Sequence, residues 1–265
     1  MTQNPPTQVT RDNFQSWLSS INPNSISAFF DEVFDWYNQQ LSSPPPSQIN
    51  SDPDKIYVDV NSAEQQTINF ENTGDVPAGT TMGYDAYCQF NVPISVALQT
   101  ILFFCGKPID KDEGDTYPFN DVFSDCHCSM NEKWGPDNYL STVSMTGGGI
   151  VDSLHDYYAI LVRGDAAGSY SIFSSFLGPA LSDKPVITTT TAQISFAILK
   201  SISDNVTEVR QSFRRNGQSY AQFGLDFGRQ EYGFNASTFH QQLKELRDSM
   251  VELMTTGTIK QNSPS

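Results

Sequence analysis

The stretch Phe239-His240-Gln241-Gln242-Leu243-Lys244-Glu245-Leu246-Arg247-Asp248-Ser249-Met250-Val251-Glu252-Leu253 decides how the chain is read. Phe239, Leu243, Leu246, Met250 and Leu253 recur at spacings of 4, 3, 4 and 3, which is the repeat of one helix face. Lys244, Glu245, Arg247, Asp248 and Glu252 occupy the other face. Asn235 or Ser237 starts this helix and Gly257 ends it. A one-sided helix of about five turns needs a large apolar partner. The expected partner is the inner face of a sheet made by the strands that precede it.

Reading backwards from the helix, Val206–Arg215 and Gln218–Phe227 flank Asn216-Gly217, a strong short hairpin signal. Ile187–Lys200 is long and rich in Thr and Ile. Ser169–Leu177 and His155–Arg163 are joined by a glycine-bounded turn, and Leu140–Thr146 leads into Gly147-Gly148-Gly149. Alternation gives the last strands one dry face, with Ala192, Ile194, Phe196 and Ile198, then Val209, Gln211 and Phe213, then Ala221, Phe223, Leu225 and Phe227. The opposite faces carry Thr191, Gln193, Ser195, Glu208, Arg210, Arg214, Gln222 and Asp226. Further upstream, Gly83–Val92 is strand-like, with Tyr84, Ala86, Cys88 and Phe90 on one side. It passes through Pro93 into an apolar helix over Ile94–Phe104 that Gly106 closes. Residues 106–138 read as a long loop with at most one short helix.

The N-terminal part reads differently. Residues 1–9 are a loose tail. Thr10 or Asp12 caps a helix with Phe14, Trp17, Leu18 and Ile21 on one face; a second helix carries Ile26, Phe29, Phe30, Val33, Phe34, Tyr37 and Leu41. Ser43-Pro44-Pro45-Pro46-Ser47 cannot continue it. Residues 10–81 are therefore expected to hold an αα-hairpin, a linker and short strands at Lys55–Val60 and Gln65–Phe70. Residues 82–258 form the main domain and 259–265 a disordered tail.

The 265 residues carry 15 Lys+Arg against 30 Asp+Glu, a formal charge of −15, which disfavours nucleic acid and anionic membrane surfaces as partners. With 38% hydrophobic and 12% aromatic residues, the chain has ample material for a packed core. The start Met1-Thr2-Gln3-Asn4-Pro5-Pro6 lacks a secretory signal pattern, and the apolar stretch Val92–Phe104 is too short to span a bilayer. The four cysteines are then read as free thiols, and the expected location is the cytoplasm.

Strand, helix, a run of strands and a long closing helix is an order that resembles the START/SRPBCC helix-grip superfamily. That group includes birch-pollen-allergen-like, polyketide cyclase-like and lipid-transfer proteins. The residues that carry the resemblance are Tyr84–Val92 running through Pro93 into Ile94–Phe104, the Asn216-Gly217 pair, and Phe239–Leu253. It implies an α+β fold, a curved antiparallel sheet of about seven strands gripping the C-terminal helix, with an N-terminal helical extension. It also implies an apolar cavity between sheet and helix. Phe196, Phe213, Phe223, Phe227, Phe239 and Leu243 are the expected lining.

Other clusters carry less chemistry. Asp125-Cys126-His127-Cys128 has metal-ligating residue types, but a C-x-C pair without a second cluster does not match zinc spacing, so no metal is expected. Asp110-Lys111-Asp112-Glu113-Gly114-Asp115 misses the calcium-loop spacing. Gly147-Gly148-Gly149 lacks the Lys and Ser/Thr of a phosphate loop. Ser153, His155 and Asp156 on one strand do not converge as a relay should, because Asp156 points away from the other two. His155 and Tyr158 are left as the candidates for acid–base work. No cofactor is expected. Three functions follow: binding of a hydrophobic lipid, polyketide or aromatic molecule; a cyclase, aromatase or dehydratase-like activity on such a substrate; or a filled core whose aromatic helices at 10–42 dock a protein partner.

Overall fold

The computed structural model describes residues 10–21, 34–35, 37–40, 57–60, 81–110, 116, 126–147, 151–164, 168–179, 193–216 and 236–260. Helix α1 is Arg11–Ile21, opened by Thr10 and Asn13, whose side chains each accept from the other's backbone N–H. Strands β1 (Tyr57–Val60) and β2 (Thr81–Phe90) precede α2 (Ile94–Phe104). Then come β3 (Cys126–Asn131), β4 (Asn138–Gly147), β5 (Val151–Gly164) and β6 (Ser169–Pro179). Strands β7 (Gln193–Ser203) and β8 (Val206–Asn216) follow, and α3 (Ala236–Thr256) closes the chain.

The eight described strands form one sheet in the order β1-β2-β8-β7-β6-β5-β4-β3, every neighbouring pair antiparallel. From β3 to β8 each strand pairs with the next. The chain crosses once, between β2 and β3, and α2 lies on that crossover. Pro93 sits at the N-cap of α2 with φ −59, and Gly106, at φ +103, turns the chain out of it.

Two expectations are corrected in the sheet. The first concerns residues 106–138, which contain a strand: β3 pairs with β4 over its whole length, and Cys128 also bridges Thr116. A six-residue edge strand of Cys, His, Ser, Met and Asn offers little β-branched or aromatic signal. The second concerns the hairpin at Asn216-Gly217. β8 has β2 on one edge and β7 on the other, from residue 207 to 215, so neither edge is free for a following strand there. The hairpin at β8 forms instead at Asp204-Asn205, with a register shift between Ser201 and Ser203. Residues 218–227, and the strand expected at 65–70, lie outside the described residues.

Both faces of the sheet are covered. Ala197 and Leu199 of β7 belong to one core with Leu243, Leu246 and Met250 of α3. Phe196, between them in sequence, contacts Phe34 and Tyr37 instead. β6 repeats the pattern, with Ile172 on the α3 side and Phe173 against Phe14. Successive residues point to opposite faces of a strand, so the N-terminal helical segments lie on the outer face. Phe14, Trp17, Leu18 and Phe34 are buried there, while Ile26, Phe29, Phe30, Val33 and Leu41 of the expected docking face lie outside the described residues. On the polar half of the outer face, Arg210 donates to Glu208 at 2.6 Å and to the carbonyl and side-chain oxygen of Gln40, both at 3.0 Å. Tyr87 donates to the same carboxylate at 2.5 Å. Ile259, assigned from the sequence to a tail, is buried with Phe103 and Leu253.

Candidate functional site

The inner face is best read as rows across the strands. One row runs Cys88–Val209–Leu199, from β2 through β8 to β7. All three residues are buried, at 2% exposure or less, in the core they share with α3. The next row runs Ala86–Gln211–Ala197–Ile172–Val162. The third runs through Ser195, Ser174, Ile160 and Tyr139. The face therefore changes along its length. It is sealed by aliphatic side chains at one end, then has alanines flanking a glutamine, then a pair of serines. Gln211, Ser195 and Ser174 are half-buried, whereas Ala86, Ala197 and Ile172 beside them are buried.

The thiol of Cys88 is buried in the sealed row, and burial holds its pKa far above the ordinary thiol value, with nearby Arg247 opposing. Burial likewise pushes the Cys105 thiol up to about 12. Neither thiol offers a nucleophile near neutral pH. At the β4 end of the third row, Tyr139 is 1% exposed. Lys107 donates to its hydroxyl at 2.7 Å, and the hydroxyl donates to Asp137 at 3.2 Å. Burial raises the Tyr139 pKa, with Lys107 opposing, so the phenol stays neutral.

The expected lining residues are placed unevenly. Leu243 lies in the inner core. Phe196 does not: it is on the outer face under Phe34 and Tyr37, so it is corrected as a residue between sheet and helix. β7 is apolar on both faces, with Phe196, Ala197, Ile198 and Leu199 all buried, so its own pattern cannot say which face meets α3. The register does: Ala197 stands opposite Gln211 and Leu199 opposite Val209. Phe213 is in register with Ser195 and Tyr84, and Phe239 is in the first turn of α3. Phe223 and Phe227 lie outside the described residues. His155 and Tyr158 stand on β5, opposite Ser144 and Ser141 of β4. The residues missed from the sequence are Ala86, Ala197 and Ser174, which are too small to stand out in a search for apolar walls.

Among the described residues, no group of three or more His, Cys, Asp or Glu is gathered as a metal site would need, and no helix is long and apolar enough to cross a membrane. Cys126, His127 and Cys128 are consecutive on the edge strand β3.

No family model matches the chain, and no curated protein matches it. Solved structures do. A STAR-related lipid transfer protein from Xanthomonas axonopodis matches at TM-score 0.42 and 11% identity, covering 74% of this chain and 93% of that one. Human StAR-related lipid transfer protein 5 matches at TM-score 0.39 and 9% identity, covering 88% and 99%. Norcoclaurine synthase from Thalictrum flavum, in complex with dopamine and hydroxybenzaldehyde, matches at 0.37 and 6%, covering 68% and 90%. At such identities and TM-scores the likeness is one of element order. The chain is an α+β protein whose eight described strands form one antiparallel sheet, with the long C-terminal helix packed on its inner face.

Proposed function

We propose that the chain binds a hydrophobic small molecule between α3 and the inner face of the sheet. The observation that carries this reading is the grading of that face. At the Cys88–Val209–Leu199 row the aliphatic side chains close the core against α3. Past it come Ala86 and Ala197, whose side chains are short, and then polar groups that stay half-buried. A face that is apolar in area, with small residues and few polar groups, has the character of a small-molecule pocket wall. The competing arrangement is a face filled by its own side chains at interior density.

Ala197→Phe separates the two. With a pocket, the wild type binds the fluorescent probe N-phenyl-1-naphthylamine. The variant then loses most of that binding, while its urea-denaturation midpoint stays close to that of the wild type. With a filled face, the wild type does not bind the probe, and the added ring overpacks the core at a cost of about 1–3 kcal/mol. The second outcome removes the proposal. Native mass spectrometry of the purified protein after solvent extraction identifies any ligand carried along.

A further inference from the structure

We propose that the ligand carries one neutral hydrogen-bonding head, a hydroxyl or a carbonyl, received by Gln211 together with Ser195 and Ser174. The assignment rests on the pocket proposed above and names the chemistry of its guest. The three side chains share one patch of the inner face. Gln211 stands between Ala86 and Ala197, and Ser195 is paired with Ser174 in the adjoining row. Each is half-buried, and none is hydrogen-bonded to another described side chain. In rows that otherwise hold Ala86, Ala197, Ile172, Val162 and Ile160 with the aromatic positions Tyr84, Phe213 and Tyr139, a polar side chain costs desolvation that an apolar residue of the same shape avoids. A guest group that pairs with it offsets that cost.

The composition of the patch selects the kind of head. A glutamine amide offers two donors and an acceptor, and each serine offers one donor and an acceptor, which suits a neutral hydroxyl or carbonyl. These two rows hold no Asp, Glu, Lys, Arg or His among their described residues. The buried ion pair of β8 itself, Glu208 with Arg210, is on the outer face and already satisfied. Lys107, at the margin, is engaged by Tyr139. A carboxylate head would find no cation among the described residues of these two rows, Arg215 standing one row further along β8 opposite Met82 and Gln193, and would enter against a formal charge of −15.

The test is displacement of N-phenyl-1-naphthylamine by decanol and by decanoate, which share a chain length and differ in the head. The wild type should release the probe at about tenfold lower concentration of decanol than of decanoate, the scale of one hydrogen bond gained against an anion left unpaired. Gln211→Leu should raise the decanol concentration required by about five- to tenfold and leave probe affinity unchanged. Gln211→Met, of nearly equal length, carries the same readout if the leucine variant does not fold. Ser174→Ala/Ser195→Ala should give a smaller shift in the same direction. Decanoate displacing as well as decanol, or decanol displacing equally from the Gln211 variants, overturns the assignment while the pocket stands. A wild type that does not bind the probe overturns the pocket and the assignment together.

Discussion

Gly106 and Gly257 end their helices in the same way and answer to different neighbours. Both have positive φ, +103 and +78, the region in which glycine carries no steric penalty. At Gly106, a Cβ would lie 2.8 Å from the backbone N of Ser129 and 2.9 Å from the carbonyl carbon of Cys128. At Gly257 it would meet nothing within 4 Å. Gly257→Ala should therefore cost about 1 kcal/mol, the conformational penalty alone. Gly106→Ala should cost at least about 2–3 kcal/mol, because backbone and not a flexible side chain must move. Urea denaturation of the two variants compares them directly, and equal losses would show that β3 does not press on the end of α2. Both helix ends were legible in the sequence. The close approach of β3 was not, because nothing in Cys128-Ser129 says which residue it passes.

At the scale of elements, α3 behaves as its spacing says. Leu243, Leu246, Met250 and Leu253 are all buried, while Val251 and Met254 are 44% and 48% exposed. Met250→Ala should destabilise by about 2–5 kcal/mol through lost transfer energy and a cavity, whereas Val251→Ala should fall within about 0.5 kcal/mol of the wild type. Equal effects in chemical denaturation would mean that α3 does not lie on the sheet by this stripe. The strands were harder to read. A helix with one polar side announces its buried face. β7 is buried on both faces, so its alternation could be counted from the sequence but not oriented. Its register to β8 supplies the orientation and moves Phe196 away from the candidate site. The hairpin signal at Asn216-Gly217 misled for a related reason. Turn chemistry reports a bend, and the partner across a strand depends on which edges are already filled, here by β2 and β7.

For the whole molecule, the outer face ties the N-terminal segments to the domain. Phe14, at 0% exposure, meets Phe173 at 5.3 Å and Phe34 at 6.1 Å. Trp17 reaches Trp134 in the β3–β4 turn at 5.8 Å. The hydrogen bonds from Arg210 to Gln40 span 170 residues of sequence. If these contacts belong to one cooperative unit, Phe14→Ala should lower the stability of the whole chain by about 3–5 kcal/mol, with a single transition shared by far-ultraviolet dichroism and tryptophan fluorescence. A variant in which the sheet melts unchanged while only the N-terminal signal is lost would make residues 10–40 a separate unit. Glu208 and Arg210 looked like residues of a wet face in the sequence. They are 4% and 5% exposed because the outer face is covered and the pair satisfies itself together with Tyr87 and Gln40.

What the sequence determined by itself is what periodicity and turn chemistry carry locally: α1, the β2–Pro93–α2 passage, most of the long strands, α3 and its buried stripe, and the order that resembles a helix grip. These follow from residues a few positions apart. Tertiary structure alone decided which face of each inner strand meets α3, that α1 and the helical residues near Phe34 cover the opposite face, and that Gln211, Ser195 and Ser174 form one patch. Those three come from three different strands, at positions 174, 195 and 211, and only the registers of β6, β7 and β8 bring them together. Register is set by the burial of both faces of the whole sheet at once, a constraint that no single strand's sequence contains.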